Sequence, residues 1–147
     1  MLNTPHLLVG AAIGSSLPEA WQIVPVAPAS HFVFDSLPHF QGYIEVEDLE
    51  KKEVAFLAAD IIFGLGLVTF FSLGSPRGDL MWVGALAAIL PDFHHIFQVV
   101  FGPDSLKRYH KFHMKFHWKK DMKLLPGVAT QIITILAAIL IISGVFA

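Results

Sequence analysis

Apolar residues lie along this chain in long, nearly unbroken windows, and the polar residues inside them are few enough to name. A helix needs about 20 mostly apolar residues to cross the roughly 30 Å hydrocarbon core of a bilayer. Windows of that size run from Val54 to Leu73, interrupted by Asp60, and from Leu80 to Gly102, which holds Asp92, His94 and His95. A third, Gly127 to Ala147, carries no charge. Pro18 to Phe40 is a further window broken by Pro25, Pro28 and Pro38. Prolines bend a membrane helix without forbidding it, because neighbouring groups satisfy the freed carbonyls, so a kinked span is predicted there. Thr4 to Leu17 is apolar but brief, without the basic start or cleavage site of a signal peptide, and is expected as a short span or a re-entrant helix. The pattern predicts an all-α, multi-pass transmembrane bundle of about five membrane segments, forming a single integral-membrane domain over residues 1–147.

The connectors then set an orientation. They are an acidic stretch (Gln41 to Glu53), a Gly/Pro turn (Gly74 to Gly78) and a basic, aromatic stretch (Asp104 to Lys123) that reads as a cytoplasmic amphipathic helix. If all five segments cross, Lys51, Lys52, Lys107, Arg108, Lys111, Lys115, Lys119, Lys120 and Lys123 share the face of the N-terminus and only Arg77 lies opposite. The positive-inside rule therefore predicts an N-terminus in the cytoplasm and a C-terminus outside. Composition agrees: 54% of the chain is apolar and 15% charged, which excludes disorder and an ordinary soluble domain. With 10 Lys and Arg against 12 Asp and Glu there is no electrostatic case for nucleic acid. The absence of cysteine excludes disulfides, thiolate metal sites and Cys nucleophiles.

The intramembrane polar residues hint at a repeat. His6 is followed 33 positions later by His39, and Asp60 is followed 32 positions later by Asp92. Each hairpin closes on a similar tetrapeptide, Leu37-Pro38-His39-Phe40 and Leu90-Pro91-Asp92-Phe93, so residues 4–40 and 58–95 are candidate parallel repeats of a two-helix unit. In the predicted topology these residues converge at one depth, and intramembrane ionisable groups cost a few kcal/mol each unless they face partners or water. A cluster there is a functional site by default.

His31, Asp35 and His39 are spaced i, i+4, i+8 on one helical face, and Asp92 and His95 at i, i+3 share another. Pro38 and Pro91 weaken that reading for His39 and Asp92, since each sits where a proline disfavours helix. His94 and His95 are adjacent and cannot both face one site, so one is expected to be interfacial. His110, His113 and His117 share a face if Ser105 to Trp118 is helical, either as ligands or as part of a surface helix with Phe112, Phe116 and Trp118. Imidazole and carboxylate without thiolate form the ligand set of zinc, or of manganese or iron. The candidate ligands are His6, His31, Asp35, His39, Asp92, His95, His113 and His117, with Asp60 the candidate general base.

Thr4-Pro5-His6-Leu7-Leu8-Val9-Gly10, Ser30-His31-Phe32-Val33-Phe34-Asp35 with Pro38-His39, Leu90-Pro91-Asp92-Phe93-His94-His95 and a downstream His-x-x-His together resemble the small inner-membrane proteins known as membrane-bound metal-dependent hydrolases. The likeness spans residues 4–117. Where that family has Asp-x-Asp-His this chain reads Asp92-Phe93-His94-His95, and its Arg-Gly-x-Thr-His is replaced by His110-Lys111-Phe112-His113. A more distant likeness, carried by His31-x-x-x-Asp35, is to zinc-dependent phospholipase C and related nucleases. The resemblance implies a metal-dependent hydrolase, and the interfacial depth beside a basic connector implies an amphiphilic substrate with an anionic, phosphate-bearing headgroup. The competing reading is a non-catalytic, metal-stabilised membrane protein or subunit. An ion or proton transporter comes third, because a through-pathway needs polar residues in the outer half as well.

Overall fold

A computed structural model describes residues 1–40, 51–118 and 123–144. The helices are α1 (Asn3–Ser16), α2 (Ala20–Asp35), α3 (Lys51–Ser72), α4 (Gly78–Ile89), α5 (Phe93–Phe101), α6 (Lys107–His113) and α7 (Leu124–Ile142), with a 3-10 turn at Leu90–Asp92 joining α4 to α5. No strand occurs among the described residues. Most of the acidic connector, Lys119 and Lys120 of the basic one, and the end of the C-terminal window lie outside the described residues.

Helix α1 is the centre of the bundle. It is apolar on every side, as a helix must be when neighbours enclose it, and Thr4 to Ala12 are all buried against α2, α3, α4 and α7. Small residues let the backbones close in: a Cβ at Gly10 or Gly84 would collide with the other's carbonyl oxygen, and one at Gly14 with that of Leu80. This is the small-residue contact by which membrane helices gain packing when burial from water offers little. Leu7, Leu8, Val68, Met81 and Ala85 fill the core around it. At its far end Arg77 donates to the carbonyls of Gly14 and Leu17, so the one cation that sequence placed on the outer side satisfies a helix C-terminus.

The expectation of five membrane segments is corrected. Three helices among the described residues are long and apolar enough to cross, 52–72, 78–101 and 124–142. Helix α1 has 14 residues and α2 has 16, rises of about 21 and 24 Å against a core of roughly 30 Å. They form a hairpin of which α1 is buried among the longer helices and α2 packs on α1 and α4 at the periphery. The predicted kinked span contracts to Ala20–Asp35, with Pro25 and Pro28 inside it. It stops short of His39, because Pro38 disfavours helix at Leu37. Outward faces are strongly apolar: Ile62, Phe63 and Phe70 on α3, Phe93, Val99 and Val100 on α5, Ile133 and Leu136 on α7, and Trp21 and Val33 on α2 are exposed. Apolar surface of this extent fits contact with a lipid bilayer.

Candidate metal centre

Asp35, the last residue of α2, is the focus of the polar interior, its side chain 2% exposed. Its Oδ1 faces His6 Nε2 at 3.1 Å and the amino group of Met1. Its Oδ2 faces His31 Nε2 at 3.1 Å, His113 Nε2 at 3.3 Å and His117 Nε2 at 3.9 Å. Asp92 approaches the same two imidazoles from the 3-10 turn, with Oδ1 3.4 Å from His31 Nε2 and 3.5 Å from His113 Nε2. One nitrogen or oxygen from each of His31, Asp35, Asp92 and His113 lies within 4.8 Å of the others, so this buried group can hold a metal ion.

The local reasons are simple. His31 and Asp35 are one helical turn apart and stack on one face of α2. Leu90-Pro91-Asp92 tightens into 3-10 geometry at the proline and turns Asp92 back toward them. Helix α6 lies across the opening, tied by Trp118 N–H donating to the carbonyl of Asp35 at 2.8 Å and by Phe112 and Phe116 against Phe32.

The chemistry of His31 tests the fit. Its Nδ1 is 2.8 Å from the carbonyl oxygen of Ala88, which can only accept, so Nδ1 carries the proton. In the neutral ring Nε2 then holds a bare lone pair, and it is buried with no hydrogen-bond partner among the described residues. Two carboxylate oxygens facing that nitrogen call for positive charge there. It is supplied either by a second ring proton, since burial is outweighed by the two carboxylates, which raise the His31 imidazole to about 9, or by a metal ion in its place. Two ligands about 2.0–2.1 Å from one tetrahedral ion stand about 3.3–3.4 Å apart. The four nitrogen-to-oxygen separations, 3.1–3.5 Å, match that spacing. The backbone bond to Ala88 is the kind of outer contact that fixes a ligating imidazole's tautomer and orientation.

Other expected ligands fall around this core. His6 stacks on His31 with ring centroids 4.0 Å apart and holds Asp35 Oδ1. His39 lies past the end of α2, not on its face, and groups with His117 and Asp35. His117 follows α6, because helix covers only Lys107–His113 of the expected Ser105 to Trp118. Burial first, then the nearby Met1 amino group, push the His117 imidazole down to about 4, which leaves it neutral and able to donate a lone pair at physiological pH. His95 does not join Asp92. It groups with His94 and His110, so both adjacent histidines face the same place, contrary to the expectation that one would be filler.

Asp60 stands apart from these groups. Its Oδ2 accepts from the backbone N–H of Asn3 at 2.6 Å, both its oxygens lie 3.3 Å from that of Thr4, and its own carbonyl accepts from the Thr4 hydroxyl at 2.8 Å. It is a cap on the N-terminus of α1 supplied by α3, where a carboxylate offsets orphan donors and the helix dipole. Sequence reading missed Gln131 of α7, which accepts from Leu2 N–H at 3.0 Å and donates to the carbonyl of Phe40 at 2.9 Å. A lone glutamine in an uncharged apolar window was the available signal. No protein-family model matches this chain, and no curated protein or solved structure does so.

Proposed function

We propose that the chain is a membrane-embedded, metal-dependent hydrolase whose centre is held by His31, Asp35, Asp92 and His113. The carrying observation is an asymmetry of access: the side chains of His31, Asp35 and His113 are 0–2% exposed while that of Asp92 is 25% exposed. Three of the four side chains are closed off from solvent, and Asp92 is the one that reaches it. Zinc suits two imidazoles and two carboxylates at this spacing, with manganese or iron as further takers. An ion held by these residues would supply Lewis acidity, and would lower the pKa of a water that took one of its coordination positions toward 7. The chain's own residues do the rest. Ala88 fixes the His31 ring, His6 orients the Asp35 carboxylate, and α1 and α2 exclude water from the closed side.

The substrate class follows from what borders the opening. Helix α6 carries His113 into the centre and sets Lys107, Arg108 and Lys111 beside exposed Leu106, Tyr109 and Phe112. Cations interleaved with apolar side chains at a membrane interface favour an amphiphile with an anionic, phosphate-bearing headgroup. The resemblance to membrane-bound metal-dependent hydrolases supports the same reading. In the inner membrane, the cation distribution puts the N-terminus and the α5–α7 connector in the cytoplasm. This holds for three crossings or for five, since both are odd.

Elemental mass spectrometry of detergent-purified protein, paired with a screen of phosphodiester and phosphomonoester lipids, tests the proposal. Asp35→Ala and Asp92→Ala are each expected to strip the ion from this centre, because the apolar interior offers no replacement ligand, and to abolish metal-dependent cleavage. Retention of that ion by both variants would remove the centre. A second reading, a purely structural ion, is favoured by the fact that four donors saturate a tetrahedral ion. It predicts metal-dependent thermal stability and no cleavage of ester, amide or phosphate lipids by fully loaded protein.

A further inference from the structure

We propose that His94, His95 and His110 form a second metal site, built of imidazole alone, that takes a late first-row divalent ion such as Ni2+ beside the Asp35 centre. One nitrogen from each ring lies within 4.8 Å of the others. Ring centroids are 4.0 Å apart for His94 and His95, 5.2 Å for His94 and His110, and 5.7 Å for His95 and His110. The 3-10 turn brings this about: it starts α5 so that His94 and His95 occupy its first turn, facing α6. His110 and His113, three positions apart on α6, then make the two groups neighbours, since the His113 ring also stands 4.9 Å from that of His94. His113 reaches Asp35, and His110, one turn earlier, reaches His94.

The hydrogen bonding prepares the site. His94 Nδ1 is 2.9 Å from the carbonyl oxygen of Pro91 and must donate to it, which leaves Nε2 as a lone pair. That lone pair points at His110 Nδ1, 3.1 Å away. In the metal-free protein one His110 proton bridges the gap. That pair already stands at the separation of two ligands on one ion, and a His95 nitrogen completes the trio from within 4.8 Å. The trio contains no carboxylate, so hard ions such as Mg2+ and Ca2+ gain little from it, whereas imidazole favours nickel, copper and zinc. His94 is buried, while His95 and His110 are half-buried and give the ion a solvated side.

The site has a mechanical consequence. Helix α6 is seven residues long and is entered through Leu106 at φ 55°, in the left-handed region. A helix that short does not persist on its own. Trp118, Phe112 and Phe116 tie this segment to α2, and an ion on the trio adds a tie to α5.

The test is a Ni2+ titration of the metal-stripped, detergent-purified chain, with bound nickel counted by elemental mass spectrometry and helicity checked by circular dichroism. Wild type is expected to take up about two ions per chain. His95→Gln and His110→Gln, which keep side-chain volume, are each expected to lose one of them, and an excess of Mg2+ should not displace it. Asp92→Asn is expected to lose the other ion while the trio keeps its own. If the Asp35 centre alone is misread, Asp92→Asn leaves the count unchanged and the Gln variants still lower it. Folded Gln variants that bind as many ions as wild type would overturn the second site.

Discussion

Asp35 and Asp60 both sit among apolar helices in this protein, and their partners give them different work. Asp35 is surrounded by imidazole nitrogens, whereas Asp60 spends its oxygens on the backbone N–H groups of Asn3 and Thr4. Losing a helix cap costs about 0.5–2 kcal/mol, and asparagine caps nearly as well as aspartate. Asp60→Ala is therefore expected to lower the thermal stability of the detergent-solubilised protein without changing its metal content, and Asp60→Asn to leave both near wild type. The pair also decides the general-base reading of Asp60. A stable, metal-loaded Asp60→Asn that loses about 10²–10⁴ of its turnover makes this carboxylate a base as well as a cap.

Among the elements, the α1–α4 crossing sets the frame of the site, since His6 of α1 bonds Asp35 and Ala88 of α4 holds His31. Helix α1 carries His6, and α4 leads through its 3-10 turn to Asp92, so their separation sets how far these side chains stand from Asp35. Gly84→Ala would drive a methyl group into the carbonyl of Gly10, with helix backbone and no flexible side chain on the receiving side. Overpacking of this kind costs about 1–3 kcal/mol, and the expected result is a lower melting temperature together with weaker metal retention. Gly66, also helical, has nothing within 4 Å of where a Cβ would lie. Gly66→Ala is the control, expected to be neutral or to gain up to about 1 kcal/mol from helix propensity. Equal effects at both positions would mean that the close crossing is not what holds the bundle together.

For the whole molecule the question is which side the Asp35 centre faces. The tenth residue of α3, Asp60, caps the start of α1, so α3 runs on past the head of the hairpin, as α5 does beyond Asp92. Asp60 and Asp92 each stand inside one of the apolar spans 52–72 and 78–101, about two turns from its end, so the centre is expected at that depth in a bilayer. A C-terminal reporter that works only outside the cytoplasm should be active, and one that works only in the cytoplasm should be silent. The reverse pattern would put the centre on the outer face and remove cytoplasmic amphiphiles from the list of substrates.

Much of this was legible in residue order. The windows around α3, the α4–α5 rod and α7 follow from hydropathy alone, because a bilayer imposes one length and one polarity on whatever crosses it. His31 and Asp35 could be paired from spacing, since a four-residue interval within a helix fixes their shared face. What remained hidden depends on contacts between distant segments. Helix α1 looks like a short span, yet its close backbone contact with α4 makes it the buried axis of the bundle. Asp60 looks like a site residue because it is an isolated carboxylate in an apolar window, and only the placement of α1 beside α3 turns it into a cap. His94 and His95 look mutually exclusive on a helical wheel, but both lie in the first turn of α5, where α6 can bring His110 against the pair. Hydropathy and helical period are local properties of the chain, whereas ligand groupings depend on where helices cross and end, and that is decided by tertiary packing.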